Sequence, residues 1–280
     1  MKHLLKLEGM PSAAMEEILA SAKVIKAKRG GGEAKPLDGQ TWALIFTKSS
    51  TRTRVSFEVG IRELGGSVMF LNANDMQLGR GEPIKDTARV LGRMVHGAVI
   101  RTFAQADVEE FAVYSGIPTI NALTDDEHPC QILTDIFTFQ ERRGPIRGKV
   151  VTYVGDGGCN VPVSWVHAAA ALDFELRIAA PSEFQPSTET LAKAGGNISC
   201  TEDIRAAVKG ADMVYTDVWV SMGMEAEAEA RLAKLAGYQI NGELMRLAKP
   251  DTLVMHCLPA YRGKEIDAET FEAHADTIFT

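Results

Sequence analysis

Short runs of aliphatic and β-branched residues alternate along this chain with longer segments whose apolar positions recur every three or four residues. That rhythm predicts an α/β protein with parallel sheets. A first series of predicted strands covers Thr41–Phe46, Ser67–Leu71, Ala98–Thr102 and Pro118–Asn121. A second covers Lys149–Val154, Glu175–Ala180, Met213–Asp217 and Leu253–Cys257. Ala43-Leu44-Ile45-Phe46 and Val150-Val151-Thr152-Tyr153-Val154 are almost wholly apolar, as in strands covered on both faces. Between the strands, Ile84, Ala88, Leu91 and Val95 mark a helix over Glu82–Val95, and Ile132, Leu133, Ile136 and Phe139 mark another over Gln131–Phe139. Gly65-Gly66 closes a helix predicted over Val55–Leu64. The glycines of Lys28–Gly32 predict a flexible surface connection. The polar break Glu141-Arg142-Arg143-Gly144-Pro145 places the domain division at 1–138 and 139–280. The expected architecture is two doubly wound, Rossmann-like parallel-sheet domains with the active site in the cleft between them.

Composition narrows the classes. The chain has 280 residues, 45% hydrophobic and 24% charged, which are ordinary globular values and exclude disorder. A net charge of -7 argues against a nucleic-acid partner. No stretch approaches the roughly 18 apolar residues that span a bilayer, and Met1–Lys6 lacks an apolar signal core. Cys130, Cys159, Cys200 and Cys257 show no CxxC spacing, which speaks against a zinc knuckle or a disulfide framework. A cytoplasmic protein with reduced thiols and no metal or other cofactor is expected.

In doubly wound sheets ligands bind beyond the carboxyl ends of the strands, so the residues following each strand carry the functional information. After Phe46, Ser50-Thr51-Arg52-Thr53-Arg54 packs three hydroxyls and two guanidiniums into a strand-to-helix turn. A helix start offers unpaired N–H groups and a positive dipole end, hydroxyls add neutral donors, and arginine grips two oxygens at once. The plain reading is a helix N-cap with exposed arginines; five donor-bearing residues in a row point instead to an oxyanion or phosphate site, and the spacing is not that of a Walker loop. Arg101 ends an apolar strand, where it needs either an anion or a structural salt bridge. His128-Pro129-Cys130-Gln131 opens a helix, with Pro129 suited to the first helical position. There a neutral His128 can donate to a developing oxyanion, with Gln131 one turn on.

Gly155-Asp156-Gly157-Gly158-Cys159-Asn160 imitates a dinucleotide loop, but Asn160 occupies the position of the third glycine. The other reading is a tight loop presenting the Asn160 amide to a carboxylate. Asp217, followed by Ser221-Met222-Gly223, is either a cap or a carboxylate that holds an ammonium group. Cys257 is either a small buried residue or a thiol beside a substrate amine. A Cys–His dyad is disfavoured, because neighbours on a strand face opposite sides.

Taken together, these segments resemble the aspartate/ornithine carbamoyltransferase family along nearly the whole chain. Ser50–Arg54 is similar to its carbamoyl-phosphate motif and His128–Gln131 to its HPxQ motif. Ser221-Met222-Gly223 and His256-Cys257-Leu258-Pro259 resemble the SMG and HCLP segments of members that act on ornithine. The resemblance implies carbamoyl transfer from carbamoyl phosphate to the δ-amine of L-ornithine, in trimers or multiples of trimers. It assigns Ser50, Thr51, Arg52 and Thr53 to the phosphate and Arg101, His128 and Gln131 to the carbamoyl group. Asn160, Asp217, Ser221 and Met222 fall to ornithine, and Cys257 and the Leu258 backbone to the reacting centre. Gln77, within Asn74–Gly81, matches a loop that completes a neighbouring subunit's site. The catalytic set is then Arg101, His128, Gln131, Asp217 and Cys257.

The sequence departs from the family pattern at Cys159, where relatives usually carry asparagine, and at Tyr261, where histidine often stands. Thr277–Thr280 reads as a strand beyond which relatives continue into a helix, and that helix is expected to be missing from this sequence. Competing readings are a carbamoyltransferase for putrescine or an N-acylated ornithine, and a weak carbamoyl-phosphate-binding subunit. A nicotinamide-dependent enzyme rests on the Gly155–Gly157 loop alone.

Overall fold

The computed structural model describes residues 2–31, 35–72, 81–221 and 223–280. Two compact units share them, Met1–Cys130 and Gln131–Thr280. The first contains α1 (Ser12–Lys28), β1 (Thr41–Phe46), α2 (Thr51–Glu63), β2 (Ser67–Asn72), α3 (Ile84–Leu91), β3 (Gly97–Arg101), α4 (Gln105–Ser115) and β4 (Thr119–Leu123). Its strands form one parallel sheet in the order β2-β1-β3-β4. Central β1 alternates its side chains between two cores. Ala43 and Ile45 pack with Ala88, Ala98, Ile100 and Phe111, while Trp42, Leu44 and Phe46 pack with Ile61 and Val99. Each large apolar side chain buried this way contributes roughly 1.5–3 kcal/mol, which pins the register. The N-terminal segment extends the β4 edge: Leu4 N–H donates to Thr119 O at 3.0 Å, and Asn121 N–H donates to Leu4 O at 2.7 Å.

Helix α5 (Pro129–Arg143) carries the chain across the division. The second unit then runs β5 (Val150–Val154), α6 (Asn160–Leu172), β6 (Glu175–Ala179), α7 (Thr188–Ala194), β7 (Ile198–Thr201), α8 (Ile204–Val208) and β8 (Met213–Thr216). It closes with α9 (Ala228–Leu235), α10 (Gly242–Met245), β9 (Leu253–His256), α11 (Ala268–Ala273) and α12 (Ala275–Ile278). Its parallel sheet has the order β7-β6-β5-β8-β9. In each sheet the chain reverses its direction of strand addition once, between β1 and β3 and between β5 and β8, and these are the topological switch points. Among the described residues no helix is long and apolar enough to cross a membrane.

Several sequence expectations are corrected. Helix α2 begins at Thr51 and not Val55, because Ser50 caps it: Thr53 N–H donates to Ser50 Oγ at 3.2 Å. The hydroxyl- and arginine-rich turn is therefore the first turn of the helix itself. The predicted Glu82–Val95 helix is trimmed to α3, which starts after Pro83 and stops at Gly92. Strand β7 was not predicted, since Ile-Ser-Cys-Thr is a short, half-exposed edge with little apolar signal. Thr277–Thr280 is not a strand. Its residues fall in and after α12, where the Thr277 hydroxyl donates to Val254 O at 2.8 Å and Ile278 joins the core of the second unit. Gly32, Gln77 and Met222, each part of a sequence expectation, lie outside the described residues.

Candidate active site

In the first unit the switch point lies where β1 and β3 end. Thr47 N–H donates to Arg101 O at 2.9 Å and ties the two strand ends together. Beyond them opens a pocket of about 440 Å³ lined by Thr47, Lys48, Ser49, Ser50, Thr51 and Arg54, with Phe46, Val55, Phe70 and Asn72 as the remaining wall. A helix start, three hydroxyl side chains of the 49–51 stretch and two cations therefore share one concavity. Arg54 is braced by stacking on Phe70, its guanidinium carbon 3.7 Å from the ring centroid. Lys48 is only 6% exposed; it ion-pairs with Asp125 and lies 4.3 Å over the Phe103 ring. Thr53 does not line the pocket; its hydroxyl accepts from Ser50 Oγ at 2.9 Å and from Arg101 Nη1 at 3.4 Å. Arg52 is exposed on the first turn of α2.

Arg101 is buried at the end of β3. His128 directly precedes α5, and its pKa is lowered to about 3, first by burial and then by the Arg101 charge. Burial and the guanidinium keep this imidazole neutral. Glu127 anchors the same loop. Its carboxylate accepts Leu7 N–H at 2.6 Å and Glu8 N–H at 3.0 Å, and burial raises its pKa to about 7.

In the second unit the chemistry again follows the strand ends. After β5, Asp156 accepts Gly158 N–H at 3.0 Å and pairs with the buried Arg231 of α9. Arg231 Nε also donates to Trp219 O at 3.0 Å, so one guanidinium joins the loops after β5 and β8. Gly157 permits this tight loop, since a Cβ there would lie 2.6 Å from Ile178 Cγ2. Close packing accounts for Gly157, and a φ of 127° accounts for Gly155. Cys159 precedes α6 and Asn160 opens it, with the Cys159 thiol donating to Asp156 O at 3.3 Å. Ser221 lies on the loop after β8, where its carbonyl accepts Met224 N–H at 3.1 Å.

Asp217 follows β8 and Cys257 follows β9. The Cys257 thiol donates to the Asp217 carboxylate. Burial raises the Asp217 pKa and pushes the thiol well above its ordinary value, with the Asp217 charge adding to the latter, so Cys257 is a donor and not a thiolate. Contrary to the strand-alternation argument, His256 and Cys257 are not separated by the sheet. Strand β9 ends at His256, and donor atoms of Asp217, His256 and Cys257 lie within 4.8 Å of one another. His256 is nonetheless committed structurally. Its Nδ1 accepts Leu258 N–H at 2.8 Å, leaving Nε2–H to donate to buried Glu265 at 3.2 Å. With both ring nitrogens engaged, it offers no lone pair to a metal. These bonds hold Leu258 in the left-handed region, at φ 56°.

Residues 2–141 match the family described as aspartate/ornithine carbamoyltransferase, carbamoyl-P binding domain, and residues 147–280 match its Asp/Orn binding domain. The chain belongs to the aspartate/ornithine carbamoyltransferase family. An ornithine carbamoyltransferase of Akkermansia muciniphila is 54% identical over 282 residues, covering 100% of this chain and 92% of that protein. The structure of the anabolic ornithine carbamoyltransferase of Campylobacter jejuni superposes with a TM-score of 0.94 at 42% identity, covering 100% of this chain and 93% of the other. That of Pyrococcus furiosus gives 0.92 at 44% identity, covering 97% and 89%.

Within this carbamoyltransferase, the structure gathers Ser50, Thr51, Thr53, Arg101 and His128 in the first unit and Asp217 and Cys257 in the second. Gln131 is held by Asp135 on α5, its amide Nε2 donating at 3.0 Å. Sequence reasoning passed over four residues. Lys48 stands just before the recognised turn, and its cation was the available signal. Arg231, Asp135 and Glu127 gave none, because a charged residue on a helix or in a loop reads as solvated until its burial is seen.

Proposed function

We propose that the chain transfers the carbamoyl group of carbamoyl phosphate to the δ-amine of L-ornithine, giving L-citrulline and phosphate. The observation that carries this reading is the pocket beyond β1, walled by Lys48, Ser50, Thr51 and Arg54. It supplies hydroxyls, helix N–H groups and two cations to a dianion. Ser50, Thr51, Arg52 and Thr53 serve the phosphate. Arg101 and neutral His128 donate to the carbonyl oxygen as negative charge grows there. Asn160, Ser221 and Met222 serve the α-substituents of ornithine, while Asp217 and Cys257 orient the δ-amine. The amine nitrogen bonds to the carbamoyl carbon, the carbon–oxygen bond to phosphate breaks, and the leaving phosphate takes the amine proton. Residues 1–138 hold the donor and 139–280 the acceptor. A cytoplasmic homotrimer or multiple of trimers, with Gln77 reaching a neighbouring site, completes the proposal.

Putrescine and N-acylated ornithine are less favoured acceptors, since the relatives compared carry ornithine in their names. The deciding experiment is citrulline formation measured beside the same assay with putrescine and N-acetylornithine. Ornithine is expected to exceed putrescine in kcat/KM by about 10^4-fold, the scale on which a site built for polar groups rejects an analogue lacking them, and N-acetylornithine by at least about 100-fold. Comparable rates with putrescine would overturn the assignment of the acceptor.

A further inference from the structure

Asp135 lies one turn beyond Gln131 on α5 and is 4% exposed. One carboxylate oxygen accepts the Gln131 amide NH2 at 3.0 Å, and the other accepts the Tyr215 hydroxyl at 2.7 Å. Tyr215 is itself held fast. Its ring stacks on Tyr153 at 6.1 Å and meets Trp165 edge-on at 5.4 Å. A carboxylate only accepts hydrogen bonds, so it engages Gln131 through the NH2 end of the amide. The amide oxygen is then the end turned away from Asp135.

We propose that Asp135 is a positioning residue that fixes the Gln131 amide with its oxygen presented, as the acceptor for the NH2 group of a carbamoyl donor. The inference rests on the reading of Gln131 as a carbamoyl contact. It assigns Gln131 an acceptor role and excludes the donor role that the same amide, turned over, would play. A protonated Asp135 loses this selection, because its O–H can donate to the Gln131 oxygen and stabilise the reversed amide. The groups facing Asp135 are Gln131 on its own helix, Tyr215 on β8, Asp217 at the end of β8 and Cys257 after β9. Burial first, with the Asp217 charge added, raises the carboxyl to about 7 against the opposing bonds from Tyr215 and Gln131. The accepting form therefore prevails above that pH and is lost as pH falls through it.

The test is citrulline kinetics from pH 5.5 to 9 for the wild type, Asp135→Asn, Tyr215→Phe and Glu127→Gln, with thermal unfolding recorded for each. Asparagine can offer either end of its amide, so Asp135→Asn is expected to raise KM for carbamoyl phosphate about tenfold. KM for ornithine should change less than about threefold. The acid limb near pH 7 in kcat/KM for carbamoyl phosphate should vanish in Asp135→Asn and persist in Glu127→Gln. Tyr215→Phe removes a bond to the charged form and should move that limb to higher pH. An Asp135→Asn enzyme that melts earlier but keeps its carbamoyl-phosphate KM and acid limb would overturn the inference and leave a structural carboxylate. So would a limb that stays in place, or moves down, in Tyr215→Phe. A wild-type enzyme that makes no citrulline overturns the functional reading and this inference with it, whereas an active wild type indistinguishable from Asp135→Asn sinks the inference alone.

Discussion

Lys48 and Asp125, separated by 77 positions, form an ion pair at the pocket beyond β1, with the lysine buried and the aspartate open to solvent. The pair joins the segment that leads into α2 to the loop that leads into His128. A buried cation with one exposed partner is well placed to serve a second anion. Lys48→Met is therefore expected to raise the calorimetric Kd for carbamoyl phosphate at least about tenfold, the value of one charge-assisted contact. Asp125→Asn leaves Lys48 seeking an anion and should tighten inorganic phosphate binding severalfold. Weaker phosphate binding in Asp125→Asn would show that the pair only braces the loops.

Arg52 is exposed on the first turn of α2, beside the pocket wall. Arg52→Ala should abolish measurable carbamoyl-phosphate binding if its guanidinium folds onto the bound dianion. Unchanged affinity by calorimetry would remove Arg52 from the site and leave the phosphate to Lys48, Ser50, Thr51 and Arg54.

His128, with a pKa near 3, stays neutral at every pH at which the enzyme is assayed. His128→Ala should lower kcat about 100- to 1000-fold, the loss expected for an oxyanion donor. The mutant profile should keep the wild-type limbs, because the imidazole contributes none between pH 5 and 9. A loss under about threefold would reduce His128 to a residue that opens α5.

Cys257 donates to Asp217 from an environment that holds its thiol protonated. At pH 8 it should react with iodoacetamide at least about tenfold more slowly than a free thiol, since only the thiolate attacks. Cys257→Ser preserves a donor and should retain most activity. Cys257→Ala removes it and should raise KM for ornithine about tenfold or more. Alkylation at the rate of a free thiol would contradict the protonated donor.

Glu127 offers a test of stability. Its folded pKa, about 7, lies above the ordinary value of 4.5, so its contribution is present in acid and is lost as pH rises through 7. Between pH 5 and pH 8 the wild type should lose up to about 3 kcal/mol relative to Glu127→Gln, which does not titrate. Thermal unfolding of both proteins at the two pH values gives the comparison. A constant difference in Tm would mean that Leu7 and Glu8 hold the carboxylate charged throughout.

Both sheets were legible in the sequence because their central strands are apolar on two faces, as β1 and β5 show. The edge strand β7 was not, since none of its four positions is buried and two carry hydroxyl residues. The strand ends were equally legible: hydroxyls, arginines, an HPxQ segment and an HCLP segment stand at the places where parallel sheets bind ligands. What stayed hidden was the support beneath them. Arg231 and Asp135 sit on helices among residues with no distinctive spacing, and only tertiary packing makes them buried partners of Asp156 and Gln131. His256 misled for the same reason, because strand alternation ends where β9 ends, one residue before Cys257.

The separation of the two sheets has a consequence for descent with change. Among the described residues, the groups proposed to recognise the acceptor, Asn160, Asp217, Ser221 and Cys257, follow β5, β8 and β9, while the strands beneath are fixed by apolar packing. A lineage can retailor those segments toward a new amine and leave the pocket proposed for phosphate, on a different sheet, unaltered. The fold thus lets the nucleophile be exchanged while the leaving group is inherited.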